Sequence, residues 1–257
     1  INLTVSPIFL NLYTQPGESV STQVKVTNNS NFNEYLEINL AKYVSSGRNR
    51  PVLSQLPEND EFKDWIEFSE EQFSLAPNQT QTVKVTLSPS EDAALGYYYA
   101  LVFNRIKEKE VGGGSAVVSG APAISLLLEV ESPNAVRELQ LTKFKTSRFI
   151  YEYLPVEFEV QAKNTGNIHV VPFGDIFIDW GKQEDVASLN INPGQGNVLP
   201  ETEREFTAAW KDGFVVRQPD KGKLKWNLRL NKFRIGKYTA HLLMVYNNGQ
   251  RDIPVEA

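Results

Sequence analysis

The chain has 257 residues, 41% of them hydrophobic, no cysteine and a net charge of −5. Without cysteine there is no inter-sheet disulfide and no thiol nucleophile, and no apolar run approaches the roughly 20 residues that cross a bilayer as a helix. Residues 1–132 hold 16 acidic and 9 basic side chains and residues 133–257 hold 15 and 17, and the acidic first half argues against nucleic acid as a partner.

Strand periodicity dominates and helical periodicity is nearly absent. The chain starts at Ile1, already inside a strand pattern and without an initiator Met. The expectation is a mature, exported chain whose signal peptide has been removed, with room for an anchor beyond Ala257. Strands are predicted at 3–12, 20–27, 35–41, 73–75, 82–87, 97–104 and 123–130. Pro16-Gly17 and Pro77-Asn78 supply turns before two of them. Asp64 to Phe68 lies between strands, where Trp65 is expected to plug the edge of a sandwich. Residues 45–62 and 106–119 read as long loops, and Gly112-Gly113-Gly114 in the second marks a hairpin tip rather than a phosphate cradle, because no Lys-Ser/Thr pair follows.

Ser132-Pro133-Asn134 marks a short, semi-rigid boundary. Beyond it, strands are predicted at 139–146, 156–163, 175–180, 188–192, 205–210, 224–230, 238–246 and 253–255. Three segments of the first half return in the same order in the second. Val20 to Asn31 returns as Val156 to Asn167, each closed by an Asn-rich turn. Pro77 and Pro200 each open a strand, and Gly96-Tyr97-Tyr98-Tyr99-Ala100 returns as Gly236-Lys237-Tyr238-Thr239-Ala240. Two domains, 1–132 and 133–257, each with about seven short strands, make an all-β chain of two tandem immunoglobulin-like β-sandwiches.

Few residues suggest chemistry. His169 and His241 fall on different predicted strands, without a second His at ligand spacing, and neither a metal site nor a cofactor is expected. There is no G-x-S-x-G elbow. Glu58, Asp60, Glu61 and Asp64 share one loop, but neither a carboxylate pair across a cleft nor a calcium-loop spacing is present, so a solvated, self-repelling surface is expected. Tyr98 and Tyr238, each two residues after a Gly, read as tyrosine corners, with Tyr97 and Tyr99 turned to the opposite face, where one of them would join an exposed aromatic patch. Asn2, Asn28 and Asn78 head glycosylation sequons, a pattern that Asn-rich turns produce by chance. The strongest surface candidate is a basic stripe of Lys223, Lys225, Arg229, Lys232 and Arg234, extended by Lys221 and Lys237, which alternates with Leu224, Trp226, Leu228 and Leu230. It would bind a polyanion or, as the plainer alternative, guard a sheet edge against aggregation.

Val5-Ser6-Pro7, Pro16-Gly17-Glu18, Val24 to Ser30, Trp65-Ile66, Phe73 to Pro77 and Ala94 to Tyr98 together resemble the N-terminal domain of WxL-interacting proteins. That resemblance covers most of residues 1–130 and implies a bacterial, anchored cell-surface protein whose first Ig-like domain binds peptidoglycan. The second domain matches only a generic Ig-like module. A second resemblance is to periplasmic pilus chaperones, also two Ig-like domains in tandem, with Ile124, Leu126 and Leu128 as their alternating apolar strand. The first strand, Leu3 to Leu12, lacks the Arg or Lys that the chaperone anchor would need there. The expected function is a non-enzymatic, extracellular, surface-located protein that binds cell-wall polysaccharide or another surface protein. The alternative is a chaperone or assembly factor acting by β-strand complementation.

Overall fold

The computed structural model describes residues 2–45, 51–106, 121–211, 236–247 and 249–257. They form two compact units, one ending at Ala135 and the other beginning at Val136. Both are all-β sandwiches of the immunoglobulin-like kind.

The first unit contains β1 (Leu3–Ser6), β2 (Phe9–Thr14), β3 (Val20–Asn28), β4 (Glu34–Ser45), β5 (Pro51–Gln55), the single-turn α1 (Phe62–Trp65), β6 (Ile66–Phe68), β7 (Gln72–Leu75), β8 (Thr80–Leu87), β9 (Leu95–Arg105) and β10 (Ala123–Val130). One sheet runs β1-β3-β8-β6. The other runs β2-β10-β9-β4-β5, with β7 on the first half of β4. The single strand expected at 3–12 is thus two strands in two sheets. β1 pairs antiparallel with β3, whereas β2 pairs parallel with β10. Pro7, which lacks the N–H a ladder needs, stands where the chain changes sheet. Alternation then buries Val24, Val26, Val83, Val85 and Leu87 from one sheet against Leu36, Ile38, Leu101, Phe103, Ile124, Leu126 and Leu128 from the other. Trp65 fills this core from α1 as expected, joined by Phe62. Part of the expected loop 45–62 is strand β5, because Val52 and Leu53 pair with Val44 and Tyr43.

The second unit contains β11 (Leu139–Thr146), β12 (Val156–Asn164), β13 (Phe173–Trp180), β14 (Gln183–Asn190), β15 (Glu203–Trp210), β16 (Tyr238–Asn247) and β17 (Asp252–Glu256). Its sheets run β11-β12-β15 and β14-β13-β16-β17. Phe158, Val160 and Ala162 face Ile176, Ile178, Leu242 and Met244 across the core. The strand predicted at 224–230 and the triple glycine 112–114 lie outside the described residues.

Two of the three recurring segments are the two ends of one hydrogen-bonded device. Asn28, fully buried, donates its side-chain amide to the carbonyls of Phe32, Leu75 and Ala76 at 2.8–3.1 Å and accepts from Ser30 N–H and Oγ. Asn164, equally buried, donates to Ile168 and Val198 carbonyls and accepts from Gly166 N–H. The Pro-led turns meet these residues through the backbone. Asn78 N–H donates to Asn28 C=O at 2.8 Å, and Glu201 N–H donates to Asn164 C=O at 3.1 Å. Asn78 and Glu201 both have positive φ, 61° and 60°, which aims those N–H groups inward at a strain cost that the buried bonds offset. Gly166 is required by close approach, since a Cβ there would stand 2.2 Å from Val136 C=O. The third segment is not equivalent in the two units. Tyr97 and Tyr99 belong to the first core while Tyr98 points to the other face. Tyr97 Oη accepts Ala94 N–H at 3.3 Å. Tyr238 does face its core, against Trp210 at 5.3 Å.

Replacing Asn28 or Asn164 by Ala removes one clamp and strands two or three buried carbonyls. Each substitution is expected to cost about 2–4 kcal/mol, read as a lower urea midpoint for the unit carrying the change, with the fluorescence transition of the other unit unmoved.

Candidate functional site

Two places in the first unit combine polar chemistry with access, and each depends on how strands end. The first is the loop before α1. The clustered carboxylates there are not a uniformly solvated surface, because Asp60 is turned inward and its side chain is only 4% exposed. Its Oδ1 accepts Tyr99 Oη–H at 2.8 Å and Phe62 N–H at 3.2 Å, and its Oδ2 takes Lys42 Nζ at 2.8 Å. Burial by itself would raise the Asp60 carboxyl. The hydrogen bonds from Lys42, Tyr99 and Phe62 outweigh it and hold the group below the ordinary carboxylate range. Burial, then the Asp60 hydrogen bond, pushes the Tyr99 phenol far up, and burial raises Tyr97 as well. Phe62 stacks on Tyr99 at 3.9 Å between centroids, and Lys42 Nζ lies 5.4 Å over the same ring. A polar cleft of about 450 Å³ opens beside them, lined by Lys42, Asn59, Glu61, Tyr97 and Tyr98. Both oxygens of the Asp60 carboxylate are hydrogen-bonded. The cluster therefore anchors the loop over the core, and its charge is committed to Lys42.

The second place is the edge formed by β2. Ser125 N–H donates to Ile8 C=O and Glu131 N–H donates to Thr14 C=O. The parallel register, Phe9 opposite Ser125 and Asn11 opposite Leu127, then directs the backbone groups of Leu10 and Leu12 toward β10 and those of Phe9 and Asn11 away from it. No described strand lies on that outer side. The other described edges are shorter or guarded in the usual ways. β11 carries Lys143 and Lys145, β15 carries Glu203, Arg204 and Glu205, β14 carries Glu184 and Asp185, β17 carries Asp252, Pro254 and Glu256, and β5 begins with Pro51. β1, β6 and β7 have only three or four residues. β2 has six residues, FLNLYT, with no charge, no Pro and no bulge, and Phe9 is 42% exposed. Half of β3 shares this condition, because β1 covers it only from Lys25 to Asn28 and, among the described strands, Val20–Val24 pairs with β8 alone.

The residues singled out from sequence fare unevenly. Lys223, Lys225, Arg229, Lys232 and Arg234, with Lys221, lie outside the described residues, and only Lys237 of the extended stripe is placed, exposed. Ile124, Leu126 and Leu128 are not a presented apolar strand: all three are fully buried in their own core, and β10 is paired on both sides by β9 and β2. Tyr97 and Tyr99 are not an exposed patch, for the same reason of strand parity. Asn28 is no glycan acceptor in the folded chain, since its amide is internal. His241 Nε2 lies 2.9 Å from Asp179 Oδ2 on the exposed face of the second unit. Among the described residues no group of three or more His, Asp or Glu is placed to hold a metal ion. Sequence reasoning passed over β2 as a site. The signal was present in the lack of Lys and Arg from Leu3 to Leu12, but that stretch becomes an edge only once the chain has crossed between sheets.

No protein-family model and no curated protein sequence matches the chain. Solved structures do match along its length. A chain of the chaperone–tip adhesin complex of CFA/I fimbriae biogenesis aligns with a TM-score of 0.46 and 14% identity over 100% of this chain and 98% of that one. The class 5 fimbriae chaperone CfaA gives 0.45 and 14% over 99% and 98%. A chain of the CsuC–CsuE pre-assembly complex from Acinetobacter baumannii gives 0.45 and 13% over 99% and 97%. At these identities the likeness is one of fold. The expected membership of the WxL-interacting proteins is corrected here, because no family model supports it. Peptidoglycan and cell-wall polysaccharide lose their support as ligands with it.

Asp60→Asn keeps the shape and removes the charge that Lys42 and Tyr99 address, and is expected to cost about 1–3 kcal/mol near neutral pH. Because the folded-state pKa of Asp60 is depressed, this contribution is fully present above the unfolded-state value of 3.8 and is lost as pH falls through the lower folded-state value. Urea titrations of both proteins from pH 7 to pH 2 should show the gap between them closing only at the acid end.

Proposed function

We propose that this protein is a non-enzymatic assembly factor of the cell envelope that binds another polypeptide by adding a strand to its own sheet at β2. The observation that carries this reading is the unguarded edge: outward backbone groups at Phe9 and Asn11, uncharged side chains along six residues, and no described strand beyond. Long apolar edges of this kind promote aggregation unless a partner uses them, which is why natural sheets blunt them with charge, Pro or brevity. In strand addition the main-chain bonds supply affinity, while alternate side chains supply selectivity. Here the selectivity would come from Phe9 and Asn11 on one face and Leu10 and Leu12 on the other.

The complementing surface is therefore β2 and not β10. A partner strand cannot pair with Ala123–Val130, whose two sides are already taken by β9 and β2. Its bonds to β2 would go to the outward backbone groups of Phe9 and Asn11, which take no part in the ladder with β10.

A short uncharged peptide that alternates Thr with Val is expected to slow hydrogen exchange at the Phe9 and Asn11 amides of the intact protein. Asn11→Pro removes an outward donor while leaving the β2–β10 ladder in place. It should weaken the peptide about tenfold or more, with Asn11→Ser close to the parent. Unchanged exchange at both amides under saturating peptide would sink the strand-addition reading.

A further inference from the structure

Resting on that reading, the surroundings of β2 say which kind of segment the edge takes. At its far end β2 passes into the turn 15–19, and three backbone or side-chain bonds gather neighbouring loops around it. Thr14 Oγ1 donates to Glu18 C=O at 2.9 Å, Gly17 N–H donates to Ser90 C=O at 3.1 Å, and Glu131 N–H donates to Thr14 C=O at 2.9 Å. Glu18, Glu91, Asp92 and Glu131 are thereby brought to one end of the edge, all four exposed. None of them forms an ion pair with a described residue. Lys25 stands on β3 only where β1 begins to cover that strand.

The edge itself is apolar and open between the sheets. Leu12 on β2 and Val20 on β3 are half-buried and pack on the core from two strands that have no described outer neighbour at this level. An added strand has one set of side chains on the core side, and that set meets Leu12 and Val20. The other set meets Phe9 and Asn11.

We propose that the β2 edge is selective for an extended polypeptide segment with an uncharged, alternating apolar middle and one or two Lys or Arg residues at the end that lies over the turn 15–19. Opposite charge at the rim raises the on-rate and fixes register more than it adds affinity, and a strand of period two needs such a device because a one-residue slip would exchange its two faces. The acids at one end therefore act as the stop that sets where the segment sits. They also set its direction, since only one polarity of the segment puts its basic end over Glu18 and Glu91.

The test uses the intact protein and four fluorescent peptides with the same Thr/Val middle: unflanked, Lys-Lys before it, Lys-Lys after it, and Glu-Glu at both ends. Anisotropy at low salt should show one of the two Lys-flanked peptides binding at least about fivefold tighter than the Glu-flanked one, with the difference shrinking as salt rises. A combined Glu18→Gln, Glu91→Gln, Asp92→Asn protein should lose that difference and keep its affinity for the unflanked peptide. Equal binding of the Lys- and Glu-flanked peptides, or a preference that survives the triple substitution, overturns the proposal while leaving strand addition standing. Failure of every peptide to bind or to protect Phe9 and Asn11 overturns both.

Discussion

A β-strand has two sides that need partners, and the first strand of this chain cannot satisfy two sheets over the same residues. That constraint shapes the first unit. The chain spends Leu3–Ser6 beside β3, crosses at Pro7, and spends Phe9–Thr14 beside β10. Each half closes part of one sheet and leaves the remainder of the other uncovered. That no described strand covers the outer side of β2 or the Val20–Val24 half of β3 follows from a strand too short to run the full length of two sheets. Among its described residues the second unit, on β11-β12-β15 and β14-β13-β16-β17, shows no such crossing and keeps charges on its edges.

Around this arrangement the interior is pinned by a few fully satisfied polar groups. Asn28 and Asn164 each tie a strand end to two neighbouring turns, and each sits where backbone carbonyls would otherwise face the core without donors. Asp60 does the same for the loop before α1, with Tyr99 and Lys42 as its partners. In low-dielectric surroundings such groups cost several kcal/mol if left half-paired, so their complete pairing specifies one geometry for the loops at both ends of the sandwich. The chemistry at Asp60 is spent on position, whereas the backbone groups of Phe9 and Asn11 remain to be used.

Much of the architecture was legible from residue order. Alternation placed most strands within a few residues, and the recurring Asn and Pro-led segments proved to be mutually bonded parts of one clamp. Trp65 was recognisable as core because a large aromatic between strands has few other places to go. The errors share a cause. Period two says that Tyr97, Tyr98 and Tyr99 alternate faces, but not which face is inside, and the phase was read the wrong way round. The resemblance to pilus chaperones implied that Ile124, Leu126 and Leu128 face a partner, whereas they are the middle of their own core. Asp60 looked solvated because its loop is acidic, and only the fold brings Tyr99 and Lys42 to it from strands distant in sequence.

What the amino-acid order determined by itself was local: strand periodicity, turn chemistry at Pro and Gly, the absence of cysteine, and hence an all-β chain of two sandwiches. What only tertiary structure decided was pairing. Whether a neutral, apolar stretch such as Phe9–Thr14 is an interior strand or an edge depends on how many neighbours it acquires, and those neighbours come from residues more than a hundred positions away, at Ser125–Val130. Hydrogen-bond partners in a sheet are set by chain crossing and register, which carry no signature in the strand's own sequence, and the candidate site exists because no described strand takes the outer side of β2.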